Sequence, residues 1–147
     1  MSGKRKIQSR IPSVIFLAAL CFIAVIILMF RADDDINRSN LEYISSFGWQ
    51  VDEKPVDIAY LTIPKNFDSV FSAYSEVAQS GGFDLSACAG IRVVRYSYTV
   101  LNHKDSDGGL IRINIFLSKN KIVCADICSL APDGFVLPLS DNSGIVP

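Results

Sequence analysis

From Pro12 to Phe30 the chain reads PSVIFLAALCFIAVIILMF, nineteen residues without a charge. At 1.5 Å of rise per helical residue this run spans roughly 28 Å, close to the hydrocarbon thickness of a bilayer. A core helix of a soluble protein would carry a polar stripe, and Ser13 and Cys21 do not make one. A cleaved signal peptide is the rival reading, because the basic amino terminus fits it. Against cleavage, the run exceeds the usual ~7 to 15 apolar residues and no A-x-A site follows. A lipoprotein would need a small residue before its cysteine, whereas Cys21 follows Leu20 in mid-run. Residues 12–30 are therefore expected to be a transmembrane anchor behind a cytoplasmic basic tail, residues 1–11.

Charge sets the expected orientation. Lys4, Arg5, Lys6 and Arg10 precede the span, while Arg31 and then Asp33, Asp34 and Asp35 follow it. The positive-inside rule leaves the amino terminus in the cytoplasm and the rest of the chain outside the cell membrane. Residues 32–147 carry nine Lys plus Arg against fifteen Asp plus Glu, a net charge of −6 that the overall value of −1 conceals. An acidic domain without a basic stripe is a poor match for phosphate backbones, so nucleic acid is not an expected partner.

About 115 residues remain beyond the anchor, enough for one core. Residues 31–38, RADDDINR, read as a linker, residues 39–140 as the extracytoplasmic domain, and 141–147, DNSGIVP, as a flexible tail. Ser39 to Glu42 forms an S-x-x-E capping box, which predicts a short helix with Leu41, Ile44 and Phe47 on one face and Gly48 as its stop. Trp49 then serves as a packing anchor rather than a ligand platform. Pro55 to Pro64, PVDIAYLTIP, reads as a strand. From a cap at Asn66, the residues Phe67, Val70, Phe71, Tyr74, Val77 and Ala78 recur at three- and four-residue spacing up to Gly81 and Gly82. This predicts the main helix, laid over a sheet.

The stretch VVRYSYTVLN, Val93 to Asn102, alternates with period two: Val94, Tyr96, Tyr98 and Val100 face inward, Arg95, Ser97 and Thr99 outward. The loop HKDSDGG leads to Ile111, Ile113, Ile115 and Leu117, and Lys119-Asn120 turns into a last strand from Lys121 to Ser129. The fold class is thus α+β, an antiparallel sheet of about four strands ending in a three-strand meander, with one main helix and one short helix. A two-residue turn at Lys119-Asn120 sets Ile115 opposite Cys124 and Ile113 opposite Asp126, which puts an aspartate on the apolar face. A buried carboxylate needs donors. The expectation is that Tyr96 or Tyr98 supplies one; the alternative is that Tyr96, Tyr98 and Asp126 border a ligand pocket.

Chemistry is easier to exclude than to assign. His103, the only histidine, sits in a polar Asp/Gly loop and reads as a surface residue, so histidine metal sites and Ser-His-Asp triads lack their parts. No phosphate-binding glycine loop, dinucleotide fingerprint or nucleophile elbow occurs, and no cofactor or metal is expected. Asp105 and Asp107 resemble the start of a calcium loop, but Phe116 stands where its closing glutamate belongs. Cys124 and Cys128 lie roughly 13 Å apart on one strand, too far to bridge. A Cys88 to Cys124 bridge is geometrically open, with buried free thiols the preferred reading.

Several short marks together carry a resemblance. They are Gly48-Trp49, the IP..F of Ile63, Pro64 and Phe67, GFDL from Gly82 to Leu85, the RY.Y of Arg95, Tyr96 and Tyr98, then Asn102 and Asp126. Over roughly Leu41 to Leu139 the chain resembles the bacterial domain of unknown function 4830 family, found in small anchored proteins of Gram-positive bacteria. Cys88, where an aromatic residue is expected, and Cys124-Ala125, where small glycines are expected, depart from the pattern. The resemblance implies no activity. The residues favour a membrane-anchored extracytoplasmic binding or interaction domain with an envelope or membrane protein as partner. The alternative is a small envelope enzyme, such as a glycan hydrolase, using Asp84 and Asp126 as paired carboxylates.

Overall fold

The computed structural model describes residues 11–146, so the basic cluster of the amino-terminal tail lies outside the described residues. Helix α1 runs from Ile11 to Ser45 without a break. Residues 31–38, expected to be a linker, are helical, and the Ser39 capping box sits inside the helix instead of starting one. The reason is local: no glycine or proline lies between Arg31 and Leu41 to interrupt an established helix. Contacts divide the chain into two compact units, 1–36 and 37–147. In the first, the apolar side chains from Ile15 to Met29 are exposed, and by length and composition this helix is sufficient to cross a membrane.

In the second unit five strands form one antiparallel sheet in the order of the sequence: β1 Asp57–Thr62, β2 Arg92–Thr99, β3 Ile111–Ser118, β4 Lys121–Ser129 and β5 Val136–Pro138. The fifth strand is only three residues long and contains a proline, too short for period two to mark it. Helix α2, Ser69–Ser80, crosses from β1 to β2. Its N-cap is Asp68, not Asn66: the Asp68 carboxylate accepts from the Phe71 amide at 2.7 Å. Phe67, just ahead of the cap, packs its ring on Phe71 at 4.6 Å between centroids.

The two sheet faces have different covers. Helix α2 lies on the face of Val93, Phe116 and Cys124, where Ile63, Ala78 and Leu85 complete a buried cluster. The opposite face carries Tyr98, Ile113, Ile115 and Ile127, all essentially inaccessible. There the last turns of α1 reach the sheet, since Asn40 donates to the Tyr98 hydroxyl at 3.1 Å and that hydroxyl donates to Asn37 at 2.9 Å. Strand β3 records the difference by alternating buried and half-buried along its length.

Two segments expected to be loose or at the surface are held by the domain. The carboxy-terminal tail, expected to fray, is tied to the loop after β2: Lys104 N–H donates to Gly144 at 2.9 Å and Val146 N–H to Asn102 at 2.9 Å. His103 is buried, its ring stacked on Trp49 at 6.0 Å and tilted against Phe135 at 5.7 Å. Its Nδ1 accepts from the Asp105 amide at 3.0 Å, which leaves the ring proton on Nε2. A polar loop sequence does not reveal that two distant aromatic residues and the tail converge on it. Trp49 is buried and donates to the Leu139 carbonyl at 3.0 Å, the packing role expected of it.

Gly144 lies against the His103 ring so closely that a methyl group there overlaps Nε2. Gly144→Ala is expected to destabilise the domain by about 1–3 kcal/mol, the usual cost of overpacking. Denaturant melts check the size of the loss, and hydrogen exchange at the Val146 amide should accelerate as the tail lifts.

Candidate functional site

The site arises from a bulge. Lys119 and Asn120 both take positive φ, 49° and 62°, so the hairpin turns on two residues as the sequence predicts. Ser118 then faces Lys121 and Leu117 faces Ile122, but the next pair is Phe116 with Cys124. Val123 is the extra residue. From there on the register is displaced by one, and a displacement of one sends every side chain to the other face. Asp126 pairs with Asn114, not with Ile113, and Cys124, Asp126 and Cys128 all join the face that α2 partly covers.

This displacement separates the residues expected to meet. Tyr96 and Tyr98 share their face with Ile113 and Ile115, as their period predicts, while Asp126 lies on the opposite face with Ser97 and Asn114. The expected hydrogen bond from Tyr96 or Tyr98 to Asp126 is therefore absent. Its place is taken by Tyr74 of α2, whose hydroxyl donates to Asp126 Oδ2 at 2.6 Å. Sequence reasoning placed Tyr74 on the inner stripe of the helix but had no means of pairing it across the sheet.

Asp126 is 3% exposed and fully engaged. Asn114 Nδ2 donates to its Oδ1 at 2.7 Å, and Ser97 Oγ donates to Asn114 Oδ1 at 2.7 Å. The order of donors is dictated: an ionised carboxylate only accepts, so Asn114 must turn its amino group to Asp126 and its oxygen to Ser97. Burial raises the Asp126 pKa, and the hydrogen bonds from Tyr74 and Asn114 and the Arg95 charge oppose that rise. Tyr74 is held far above its ordinary value by burial, then by the Asp126 and Cys124 charges. Burial pushes the Cys124 thiol up to about 11 and raises Cys128 as well. Both thiols are thus protonated near neutrality and are weak nucleophiles.

Beside this network a cavity of about 200 Å³ opens on the sheet. Ser97 and Asn114 form a facing pair at its centre, with Arg95 of β2 and Arg112 of β3 at opposite ends and Cys128 and Asp57 along the sides. Val56 and Leu130, both more than half exposed, form the rim. Arg95 pairs with Asp57 at 2.7 Å, yet its Nε is buried without a hydrogen-bond partner. Arg112 donates to the carbonyls of Gly109 and Ile111.

Asp84 belongs elsewhere. It is exposed, accepts from the Ser86 amide at 2.9 Å and hydroxyl at 2.5 Å, and the Ser86 side chain holds its pKa down. It lines a separate cavity of about 300 Å³ with Phe67, Ser72, Ser75, Gln79, Phe83 and Ser86, a set without Asp126. A third hollow, apolar and about 550 Å³, runs along α2 past Val70, Phe71 and Tyr74 to Val136. Among the described residues no group of three or more His, Cys, Asp or Glu is disposed to hold a metal ion. No family model, curated protein or solved structure matches the chain.

The raised Asp126 pKa fixes the sign of a pH effect. The native state holds this proton more tightly than the unfolded chain, whose aspartate titrates near 3.8. Protonation therefore favours the fold, and the contribution grows as pH falls through the native pKa and levels off below the unfolded one. Asp126→Asn removes this dependence. The substitution should itself be mild, within about 1 kcal/mol at neutral pH, because a flipped Asn114 can accept from the new amide and donate to Ser97. Melts of both proteins between neutral pH and pH 4 are expected to show the wild type gaining on Asp126→Asn as pH falls; a gap that moves the other way contradicts the burial argument.

Proposed function

We propose that this chain is a membrane-anchored extracytoplasmic binding domain whose ligand site is the polar cavity framed by Arg95, Ser97, Arg112 and Asn114. The apolar run of α1 supplies the span, with the amino terminus in the cytoplasm and residues from 37 onward outside the cell membrane. The charge asymmetry about that run supports this orientation, and the −6 charge beyond it argues against nucleic acid. An envelope or membrane component is the partner this location supplies. Kinship with the domain of unknown function 4830 family is part of the proposal, resting on the Gly48-Trp49, Gly82–Leu85 and Arg95–Tyr98 marks.

The observation that carries the binding reading is the cavity itself. A recess of about 200 Å³ joins two arginines, Arg95 and Arg112, to a polar floor of Ser97 and Asn114, and such a convergence of charged and polar groups in one concavity is what ligand sites have in common. The tyrosines are not part of this site. Tyr98 spends its hydroxyl on Asn37 and Asn40, and Tyr96 shares its face. Asp126 enters indirectly, fixing Asn114 on the cavity floor.

The test uses the full chain in cells and then in detergent micelles. A membrane-impermeant maleimide should label Lys104→Cys, an exposed position, in intact cells. Solubilised wild type should retain an envelope component that Leu130→Trp, which crowds the rim from an exposed position, releases. Labelling only after lysis overturns the orientation, and equal retention by the two proteins overturns the site.

A further inference from the structure

Resting on the reading of the cavity as a ligand site, we propose that it binds the oxyanion of a phosphate or carboxylate group, clasped between the Arg95 and Arg112 guanidiniums. The floor leaves little choice of chemistry. Ser97 gives its proton to Asn114, and Asn114 gives its amino group to Asp126 and, at 3.4 Å, to Cys128. With these groups committed to one another, the donors left for a ligand are those of the arginines. Arg95 engages Asp57 through one terminal nitrogen, while its buried Nε–H has no acceptor. A ligand that offers two oxygens side by side matches the terminal N–H groups of a guanidinium, the usual bidentate geometry for carboxylates and phosphates.

Charge and position agree. Arg95, Arg112 and Cys128 all line the same recess, and both guanidinium charges oppose the rise that burial gives the Cys128 thiol. Two arginines against Asp57 leave the lining with one net positive charge, in a unit that is acidic as a whole. A cleft with low-dielectric walls concentrates such a field on a small anion. The volume admits a single oxyanion group and short substituents, not an extended chain, so a larger ligand would insert only this group.

Asp57 competes for Arg95, and this gives the proposal a signature that a structural role for Arg95 does not share. The full chain in neutral detergent micelles is titrated calorimetrically with inorganic phosphate, acetate and dimethyl phosphate, against chloride at equal ionic strength. Dimethyl phosphate stands for the diester of a lipid headgroup or polymer; the other two stand for free ions. Saturable binding of at least one is expected, weakened tenfold or more by Arg95→Gln, partly restored in Arg95→Lys, and strengthened severalfold by Asp57→Asn. The oxyanion that binds best assigns the source as esterified or free. Binding unchanged by Arg95→Gln, or weakened by Asp57→Asn, overturns the proposal. If none of the three binds while Leu130→Trp still releases an envelope component, the oxyanion class falls and the binding reading stands; if retention fails as well, both fall.

Discussion

The hydrogen bond from Tyr74 to Asp126 joins the helix to the sheet through a buried carboxylate. A carboxylate buried this deeply is costly unless its lone pairs are met, and here donors come from α2 through Tyr74 and from β3 through Asn114. Tyr74 also packs its ring near Phe116 and its hydroxyl near Cys124 at 3.4 Å, so the polar contact and the apolar cluster share a residue. Moving α2 along the sheet would break both. The network thus fixes the position of the helix more sharply than the apolar contacts alone, which tolerate sliding.

The same carboxylate shapes the neighbouring cavity. Because Asp126 takes the amino group of Asn114, the amide oxygen must face Ser97, and the cavity floor becomes a closed chain of donors and acceptors. What remains open is basic. Helix α2 covers the Val93 and Phe116 end of this face, whereas the Ser97 and Asn114 pair lies on the cavity beyond it. One sheet face therefore holds an apolar core at one end and a polar recess at the other, with Asp126 between them.

Much of this fold was legible because it rests on local periodicity. The strands at β2, β3 and β4, the helix ending at Gly81 and the turn at Lys119-Asn120 follow from alternation, three- and four-residue spacing and turn chemistry. The site was not legible, and a single residue explains why. Val123 adds one position to β4, and nothing in KIVCADICS distinguishes a bulge from a regular strand. Without it Asp126 faces the tyrosines; with it Asp126 faces Asn114 and Tyr74. The burial of His103 was hidden for a related reason, since Trp49, Phe135 and Gly144 reach it from far along the chain. The helical stretch 31–38 was misread because a capping box is a start signal only where no helix already arrives.

The central claim, that Asp126 and Tyr74 stabilise the domain as a bonded pair, is tested most directly by a double-mutant cycle. Tyr74→Phe removes the donor, Asp126→Leu removes the acceptor, and the unfolding free energies of the two single variants and the double variant are compared with the wild type. A coupling of about 1 kcal/mol or more is predicted, with the double variant less destabilised than the two single losses combined, because Tyr74→Phe removes a hydroxyl that Asp126→Leu would otherwise leave with only the weak Cys124 sulfur as partner. Losses that add to within about 0.5 kcal/mol would contradict the account.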